Sequence, residues 1–307
     1  MLRRLHRAVV LLPGMCLSAV WAQPDAKGQA APASSAPTLR VMSYNIRTGN
    51  ANDGPNRWDL RKDLCVSRTT TFDADLVGLQ EAIVYQRDFF HDKLEGFGVL
   101  GTAVKDGKRN GEFTSILYRK SRLELVDSGT FWLSKTPEDP GSRGWDAKLP
   151  RNATWGIFKD RKVDGREFLY LNTHFDHVGD EARRESAKMV RAFLEEHAKG
   201  PSAGSGQSRP VIVTGDFNAH PDSPPYRLIV KGGEGDKPLV DTFLALHPEP
   251  AEGTAHGFSG KGHARIDWIL CSSSFEVREA EIDRHHEGNL YPSDHFPITA
   301  VVAWPAR

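Results

Sequence analysis

The sequence is poor in cysteine, has no excess of charge of either sign, and contains no apolar run long enough to cross a bilayer. The three cysteines in 307 residues are far apart in the sequence and do not form the closely spaced cluster that typically holds structural zinc. Forty basic residues balance 40 acidic ones, which excludes a protein that binds nucleic acid through overall charge alone. A local basic groove is still compatible with this balance.

The first 22 residues are predicted to be a secretory signal peptide. Arg3, Arg4 and Arg7 precede an apolar run over residues 8–20, and the small residue Ala22 completes a cleavage site. The run is too short to span a membrane, so we expect no transmembrane segment. Cleavage would remove three arginines and no acid, which would leave 37 basic and 40 acidic residues. We therefore expect a secreted or periplasmic protein.

Residues 23–37 are rich in proline and alanine and are predicted to form a flexible linker. Residues 38–307 are then predicted to form one domain, which we expect to be monomeric. Two cysteines, Cys65 and Cys271, belong to this domain. A single disulfide between them is one possibility in an oxidising compartment. Their positions, in a helical pattern and at a strand end, favour two buried free thiols.

Short strand patterns outnumber helical patterns along the domain. Apolar and polar residues alternate from Leu39 to Ile46, and residues 211–213 form a short apolar run. Single helical patterns, such as 57–72 and 181–197, separate the groups of strands. This order predicts an α/β fold in which two packed β-sheets are flanked by helices.

The stretch 211–226 carries the strongest signal for a functional site. Its first residues, 211–213, are typical of a buried strand, and Gly215 ends the run. In extended backbone, residues i and i+2 lie on the same face, so Asp216 and Asn218 should project side by side at the strand's carboxyl end. Ligands of α/β folds usually bind at such ends. The alternative is a turn, because aspartate and asparagine favour turns.

Six further polar residues lie at or near strand ends, or just before the last strand. They are Asn45, Glu81, His174, Asp267, Asp294 and His295. Each alone could cap a helix or turn, or be a satisfied buried histidine. Together, their carboxylate and carboxamide oxygens favour a hard ion, Mg²⁺ or Mn²⁺. Histidines and a carboxylate can move protons to and from a water and a leaving oxygen, so the residues predict metal-assisted phosphoester hydrolysis.

Six motifs, in this chain order, resemble the endonuclease/exonuclease/phosphatase superfamily. They are YNIR (44–47), LQE (79–81), NTH (172–174), GDFN (215–218), RID (265–267) and SDH (293–295). The resemblance covers residues 39–304. It implies a deoxyribonuclease I-like four-layer α/β sandwich, in which two mixed β-sheets flanked by helices frame one metal site. Arg47 is a feature shared with deoxyribonuclease I, whereas the segment after Asn218 is closer to nocturnin-type deadenylases.

The resemblance also implies roles for individual residues. Glu81 resembles the main metal ligand, with Asn45 beside it and Asp294 near the metal. Asp216 resembles the carboxylate that orients or deprotonates the attacking water. Asn218 resembles a phosphate-binding carboxamide, and Asn45 is a second candidate for a phosphate contact.

Two histidines complete the implied set. His295 resembles the histidine that faces the scissile phosphate and is held by Asp267. His174 resembles a second histidine that contacts phosphate. Glu112 lies in a segment similar to one whose acid pairs with that histidine, so we expect Glu112 to orient His174. Arg151 lies in a strand similar to one whose arginine binds phosphate. A plain surface or core-edge role is the alternative for Glu112 and Arg151.

The motifs do not choose the substrate. We expect a nuclease-like phosphodiesterase acting on a phosphoester such as a nucleic acid or nucleotide, because the candidate residues supply little of the extra positive charge that a dianionic monoester favours. A phosphomonoesterase on a nucleotide, sugar or inositol phosphate, or a sphingomyelinase-type phospholipase C, is the alternative. A binding module without activity conflicts with the intact catalytic set. Trp132, Trp145 and Trp155 could form a wall that stacks on bases, or could pack in the core.

Overall fold

Two six-stranded β-sheets lie at the centre of the fold. The structure is a computed structural model and describes residues 36–200, 208–233, 237–249 and 253–305. The predicted signal peptide, residues 1–22, and nearly all of the predicted linker lie outside these residues. Within them, no helix combines the length and the apolar character that a membrane crossing requires.

The strands and helices have the following bounds. The strands are β1 (Thr38–Asn45), β2 (Leu76–Ala82), β3 (Phe97–Leu100), β4 (Phe113–Arg119), β5 (Leu123–Trp132), β6 (Asn152–Asp160), β7 (Arg166–His174), β8 (Val211–Asp216), β9 (Leu239–Asp241), β10 (Asp267–Ser272), β11 (Glu276–Ile282) and β12 (Ile298–Ala303). The helices are α1 (Trp58–Phe72), α2 (Val84–Lys93), α3 (Asp180–His197), α4 (Pro224–Lys231) and α5 (Thr242–Leu246). The sequence patterns did not predict β9 and α5, because elements of three and five residues are too short to show a period.

Both sheets have the same pattern of strand directions. The first sheet has the order β11-β12-β1-β2-β4-β3, and the second has the order β5-β6-β7-β8-β10-β9. The central pairs β1/β2 and β7/β8 are parallel, and the other neighbours are antiparallel. A parallel pair needs a crossover connection, which α1 and α3 provide.

Three hydrophobic clusters separate four layers of secondary structure. One cluster lies between the sheets and includes Val41 and Ile212. The second joins the first sheet to α1 and α2 and includes Met42, and the third joins the second sheet to α3 and α4 and includes Val213. Successive residues of a strand face opposite sides. Val41 and Met42 therefore belong to different clusters, and so do Ile212 and Val213. The predicted four-layer α/β sandwich of two mixed sheets is confirmed.

The two cysteines of the domain lie in different clusters. Cys65 packs between the first sheet and its helices, and Cys271 packs between the sheets. Both are buried and free, as the favoured interpretation of the sequence predicted.

The layer between the sheets changes from apolar to polar along the strands. In β8, Ile212, Thr214 and Asp216 share one face, because residues two apart in a strand point the same way. Ile212 belongs to the cluster between the sheets, so Asp216 lies at the polar end of that layer. The same alternation places Asn45, at the end of β1, and His174, at the end of β7, on the face between the sheets. The sandwich therefore carries its polar side chains at one edge of the layer between the sheets.

Two buried amides connect the sheets next to this polar edge. Gln80 Nε2 donates to Asn172 Oδ1 at 2.7 Å. Asn172 Nδ2 donates to the backbone oxygens of Leu79 at 2.8 Å and Ser115 at 3.0 Å. Thr214 Oγ1 donates to the same Asn172 Oδ1 at 3.1 Å. Because a buried amide costs free energy unless it is hydrogen-bonded, this network fixes how closely the sheets approach.

We predict that Gly78→Ala destabilises the fold by about 1–3 kcal/mol, the usual cost of overpacking a core. An added Cβ would lie 2.2 Å from Thr214 Oγ1 and 2.5 Å from Asn172 Oδ1, which would force the amide network apart. Urea unfolding measures the effect. Gly96→Ala is the matched control, because a Cβ there meets nothing within 4 Å. Equal stability of the two variants would show that the sheets are free to separate at Gly78.

Candidate active site

Four strand termini bring polar side chains to the same edge of the sandwich. β1 ends at Asn45, β7 at His174 and β8 at Asp216, while β10 begins with Asp267. His174 and Asp216 are register partners in β7/β8, and Asp216 and Asp267 are register partners in β8/β10. All four side chains are buried. The sequence-predicted cluster of these four residues is therefore assembled by strand register.

Asn45 connects the two sheets at this edge. Its Nδ2 donates to Glu81 Oε1 at 3.0 Å and to Asp216 Oδ2 at 2.9 Å. Glu81 lies at an irregularity of β2 and has a φ of 61°, and its Oε2 accepts from the Thr48 backbone N–H at 3.0 Å. A positive φ is unfavourable for glutamate, so the surrounding contacts hold this carboxylate in place.

The two carboxylates that share Asn45 have opposite pKa shifts. Burial opposes ionisation of Glu81, but the hydrogen bond from Asn45 and the charge of His295 keep its pKa below the usual value. Burial and the nearby Asp267 raise the pKa of Asp216 to about 7. Glu81 is therefore suited to hold a cation, and Asp216 is suited to accept a proton near neutral pH.

Asn218 reaches the cluster from a turn. β8 ends at Asp216, and Asn218 has a φ of 45° and donates its backbone N–H to Asp216 Oδ1 at 2.9 Å. The expected arrangement of these two residues on extended backbone is wrong, and the turn that was its alternative is present. The carboxamide still belongs to the cluster, because its Nδ2 lies 3.1 Å from His174 Nε2 and donates to the Phe175 backbone oxygen at 3.0 Å.

His295 and Asp267 form a hydrogen-bonded pair. His295 Nδ1 lies 2.9 Å from Asp267 Oδ2, and the Thr254 hydroxyl donates to the same oxygen at 2.5 Å. Burial alone would lower the pKa of His295, but the carboxylates of Asp267 and Asp216 raise it well above its usual value. These carboxylates favour the protonated ring, in which Nε2–H is a charged hydrogen-bond donor.

His174 has the opposite electrostatic surroundings. Arg151 Nη1 lies 2.9 Å from His174 Nδ1. A guanidinium can only donate, and so can Asn218 Nδ2, which lies 3.1 Å from His174 Nε2, whereas a neutral imidazole accepts at one nitrogen only. Arg151 is the closer and the charged donor, and Asn218 Nδ2 already donates to the Phe175 backbone oxygen. His174 Nδ1 is therefore assigned as the acceptor, and the neutral ring carries its proton on Nε2. Burial and the charges of Arg151 and His295 lower the pKa of His174 well below its usual value. His174 is therefore a neutral hydrogen-bond donor.

Arg151 occupies the position in which the sequence predicted Glu112. Glu112 Oε2 accepts from Arg151 Nη1 at 3.2 Å, and this arginine makes the contact to His174. The expectation that Glu112 orients His174 directly is corrected to an indirect contact, because the longer arginine side chain lies between the two. Both residues, with Glu81 and His174, line a cavity of about 10 Å³, which is roughly one water molecule.

Asp294 approaches the cluster from the loop before β12. Its Oδ2 lies 3.6 Å from Arg47 Nε, and the Arg47 guanidinium also makes two hydrogen bonds to Asp53. Burial raises the pKa of Asp294, and the charge of Glu81 adds to this effect. Two carboxylates that disfavour each other's ionisation form a place where a cation is stabilised.

The donor set fits a hard divalent cation. Carboxylate oxygens of Glu81 and Asp216 lie within 4.8 Å of each other, and so do those of Asp216 and Asp267. Asp267 Oδ1 is buried and has no hydrogen-bond partner among the described residues. Carboxylate oxygens are the ligands that Mg²⁺ and similar ions prefer. Of the predicted metal residues, Glu81 joins the first of these pairs, and Asn45 and Asp294 lie beside it.

Arg61 was missed by the sequence analysis, although it connects two loops of the site. It is fully buried in α1. Its Nη1 donates to the backbone oxygens of Ile46 at 2.7 Å and Pro292 at 2.9 Å, and its Nη2 donates to that of Arg47 at 3.0 Å. The loop after β1 and the loop before β12 are thus joined by one guanidinium. An arginine in an amphipathic pattern is usually solvent-exposed, so no sequence signal indicated this role.

Two of the three tryptophans are used in packing. Trp132 is buried, and its Nε1 donates to the Val104 backbone oxygen at 2.6 Å. Trp155 packs against two rings of α3. Its ring centroid lies 5.5 Å from that of Phe193 and 5.4 Å from that of His197. A wall of three rings for base stacking is therefore not formed, and the core-packing alternative holds for these two.

The sequence and the structure were compared with known proteins. A sequence model of the Endonuclease/Exonuclease/phosphatase family matches residues 42–295. A mannosyl-6-phosphatase from Bacteroides thetaiotaomicron VPI-5482 is 33% identical, with a TM-score of 0.77, over 87% of this chain and 100% of that chain. Nocturnin from Rattus norvegicus is 23% identical over 86% of this chain and 65% of its own.

The curated relatives include longer proteins. The 3'-5'-exoribonuclease subunit Ccr4 of the CCR4-Not complex from Aspergillus niger is 24% identical over 66% of this chain, and the match spans 38% of the Ccr4 sequence. Enzymes of the matched family are divalent-metal-dependent hydrolases of phosphoesters, and the cluster contains groups that could hold such a metal. The family match covers all six motifs and both halves of the sandwich. The chain therefore belongs to the endonuclease/exonuclease/phosphatase family and is a phosphoester hydrolase.

Proposed function

We propose that this hydrolase is a divalent-metal-dependent phosphomonoesterase that acts on a sugar phosphate. The observation that carries the proposal is the position of His295, whose Nδ1 lies 2.9 Å from Asp267 and 3.9 Å from Asp216, two carboxylates that favour a protonated ring. Arg151 adds a second cationic side chain, next to His174. A dianionic phosphoryl group favours this additional positive charge. The sequence-based preference for a diester assumed that the site carries less positive charge. The additional charge favours a monoester as the substrate.

The choice of a sugar phosphate is supported by the solved relative named as a mannosyl-6-phosphatase, which matches this chain at 33% identity over its whole length. It is also supported by the buried position of Trp132, whose ring is not free to stack on a nucleic-acid base, and by the packing of Trp155 against Phe193.

A nuclease-like phosphodiesterase is the second candidate. The names of the curated relatives nocturnin and Ccr4 exoribonuclease favour it, although each is less than 25% identical to this chain. The Asn218 and His174 side chains could hold a phosphodiester as well as a monoester, because each offers one hydrogen-bond donor to an oxygen.

We further propose Mg²⁺ as the ion, with Mn²⁺ as the alternative. Glu81 would hold it, with Asn45 and Asp294 beside it, because an oxygen-based donor set suits a hard cation. A bound divalent cation supplies charge that stabilises the phosphoryl oxygens.

The chain's own residues would divide the remaining tasks. Asp216, with a pKa raised to about 7, orients the attacking water and accepts its proton. The protonated His295 donates a proton to the leaving oxygen, and Asp267 holds its ring in the required orientation. The Nδ2 of Asn218 and the Nε2–H of His174 bind phosphoryl oxygens.

A substrate panel tests the proposed activity. With Mg²⁺, we expect mannose 6-phosphate and p-nitrophenyl phosphate to be hydrolysed faster than bis-p-nitrophenyl phosphate or an RNA oligonucleotide. Excess EDTA and the Glu81→Gln variant should both abolish turnover, because the main carboxylate for the cation is then lost. Glu95→Gln, at an exposed position, is the control for the change of charge. Faster hydrolysis of the diester would establish the second candidate in place of the first.

We predict that His295→Ala and Asp216→Asn each reduce turnover by roughly 10²–10⁴-fold, the usual contribution of a positioned acid or base. The double variant should lose much less than the product of the two effects, because groups acting as a unit are not additive. Circular dichroism would verify that each variant folds, and His91→Ala, on an exposed part of α2, is the control. Near-native turnover of either single variant would assign the proton transfer to other groups.

We also infer that the protein is exported, on the basis of the arginine-rich start, the short apolar run and the cleavage site before Gln23. Amino-terminal sequencing of protein collected outside the cytoplasm should begin at Gln23. Exported protein that still begins at Met1 would contradict cleavage, and protein confined to the cytoplasm would contradict export.

A further inference from the structure

His177 is an exposed histidine beside the candidate active site, three residues after His174. The segment between them is held firmly. Asp176 is buried, and its Oδ1 accepts the backbone N–H groups of Val178 at 3.0 Å and Gly179 at 2.8 Å. This turn places the His177 ring at the surface while its chain neighbours remain anchored.

Arg151 contacts both histidines with one guanidinium. Its Nη1 lies 2.9 Å from His174 Nδ1, and its Nη2 lies 3.2 Å from His177 Nδ1. Because a guanidinium can donate and cannot accept, both Nδ1 atoms must be acceptors. In its neutral form the His177 ring therefore carries its proton on Nε2, as the His174 ring does. Arg151 is itself held by Glu112 at 3.2 Å and by Asp176 at 4.0 Å.

The two Nε2–H groups lie in different surroundings. That of His174 is buried in the cluster, where Nε2 lies 3.5 Å from Asp216 Oδ2. The His177 ring is exposed and its Nδ1 is occupied by Arg151, so Nε2–H is the group that a ligand can reach. Val178, 56% exposed, adds an apolar surface next to it. A neutral donor beside an apolar surface suits a hydroxylated ring better than a second anionic group.

We propose that His177 is a specificity residue that donates from Nε2 to a hydroxyl oxygen of the sugar esterified to the scissile phosphate, and that Arg151 is the positioning residue that fixes this tautomer. The proposal rests on the proposed phosphomonoesterase function. It extends that function from the phosphoryl group to the part of the substrate that the catalytic cluster does not reach.

The kinetic test compares His177→Phe with His177→Gln. Phenylalanine keeps a planar ring without the donor, whereas the glutamine amide restores an N–H. His177→Phe should lose about tenfold more kcat/KM on mannose 6-phosphate than on p-nitrophenyl phosphate, whose leaving group has no hydroxyl, because one net hydrogen bond is worth about that much. The loss should appear mainly in KM, and His177→Gln should recover most of it. His91→Phe, at an exposed position on α2, is the control.

Equal losses on both substrates, or no loss on either, would overturn the assignment of His177 even if the wild type is a sugar phosphatase. Hydrolysis of p-nitrophenyl phosphate without any hydrolysis of mannose 6-phosphate by the wild type would overturn both this assignment and the proposed substrate class.

A second measurement needs no substrate. Long-range ¹H–¹⁵N correlation spectra, recorded about two pH units above the usual histidine pKa of ~6.5, report which ring nitrogen carries the proton. We expect the Nε2–H form for His177 in the wild type and a mixture of both forms in Arg151→Gln. A mixture in the wild type, or no change in the variant, would contradict the positioning role of Arg151.

Discussion

The site depends on one carboxamide that holds two carboxylates from different sheets. Asn45 Nδ2 donates to Glu81 of the first sheet and to Asp216 of the second. Burial disfavours the charged form of both carboxylates, and the hydrogen bonds from Asn45 favour it. The amide donates to both carboxylates without adding a charge, whereas an aspartate or a lysine at this position would add one. Asn45 ends β1, whose neighbours are β12 and β2, so the architecture of the first sheet sets where this donor meets the second sheet.

The partners of the two site histidines decide their protonation. His295 faces the carboxylate of Asp267, which raises the pKa of its ring, whereas burial and the guanidinium of Arg151 lower the pKa of His174. A cation on both rings would leave no neutral donor for a phosphoryl oxygen, and two neutral rings would leave no acid near neutral pH. Opposite partners therefore produce an acid and a neutral donor from the same residue type within one cluster.

The sequence predicts the fold and the members of the cluster better than it predicts their contacts. Alternation along a strand decides which side chains face the layer between the sheets, so the convergence of Asn45, His174 and Asp216 follows from local pattern. The position of Arg151 between Glu112 and His174 does not, because it depends on the lengths of side chains from three separate strands or loops. Arg61 is the extreme case, since one of its acceptors, Pro292, is 231 residues away. The positive φ of Glu81 is likewise a result of tertiary contacts.

Recognition and chemistry are linked through the short segment that follows β7. The last strand residue, His174, points into the layer between the sheets, and the next polar residue, Asp176, uses its carboxylate to close a turn. His177 is thereby turned outward, yet it remains within reach of the same arginine that contacts His174. Burying a guanidinium is costly unless its donors are used, and Arg151 offsets that cost by contacting two histidines and an acid. One buried cation thus sets the proton positions of an inward and an outward ring. A change at Arg151 would therefore alter substrate recognition together with phosphoryl binding, whereas a change at His177 can alter recognition alone.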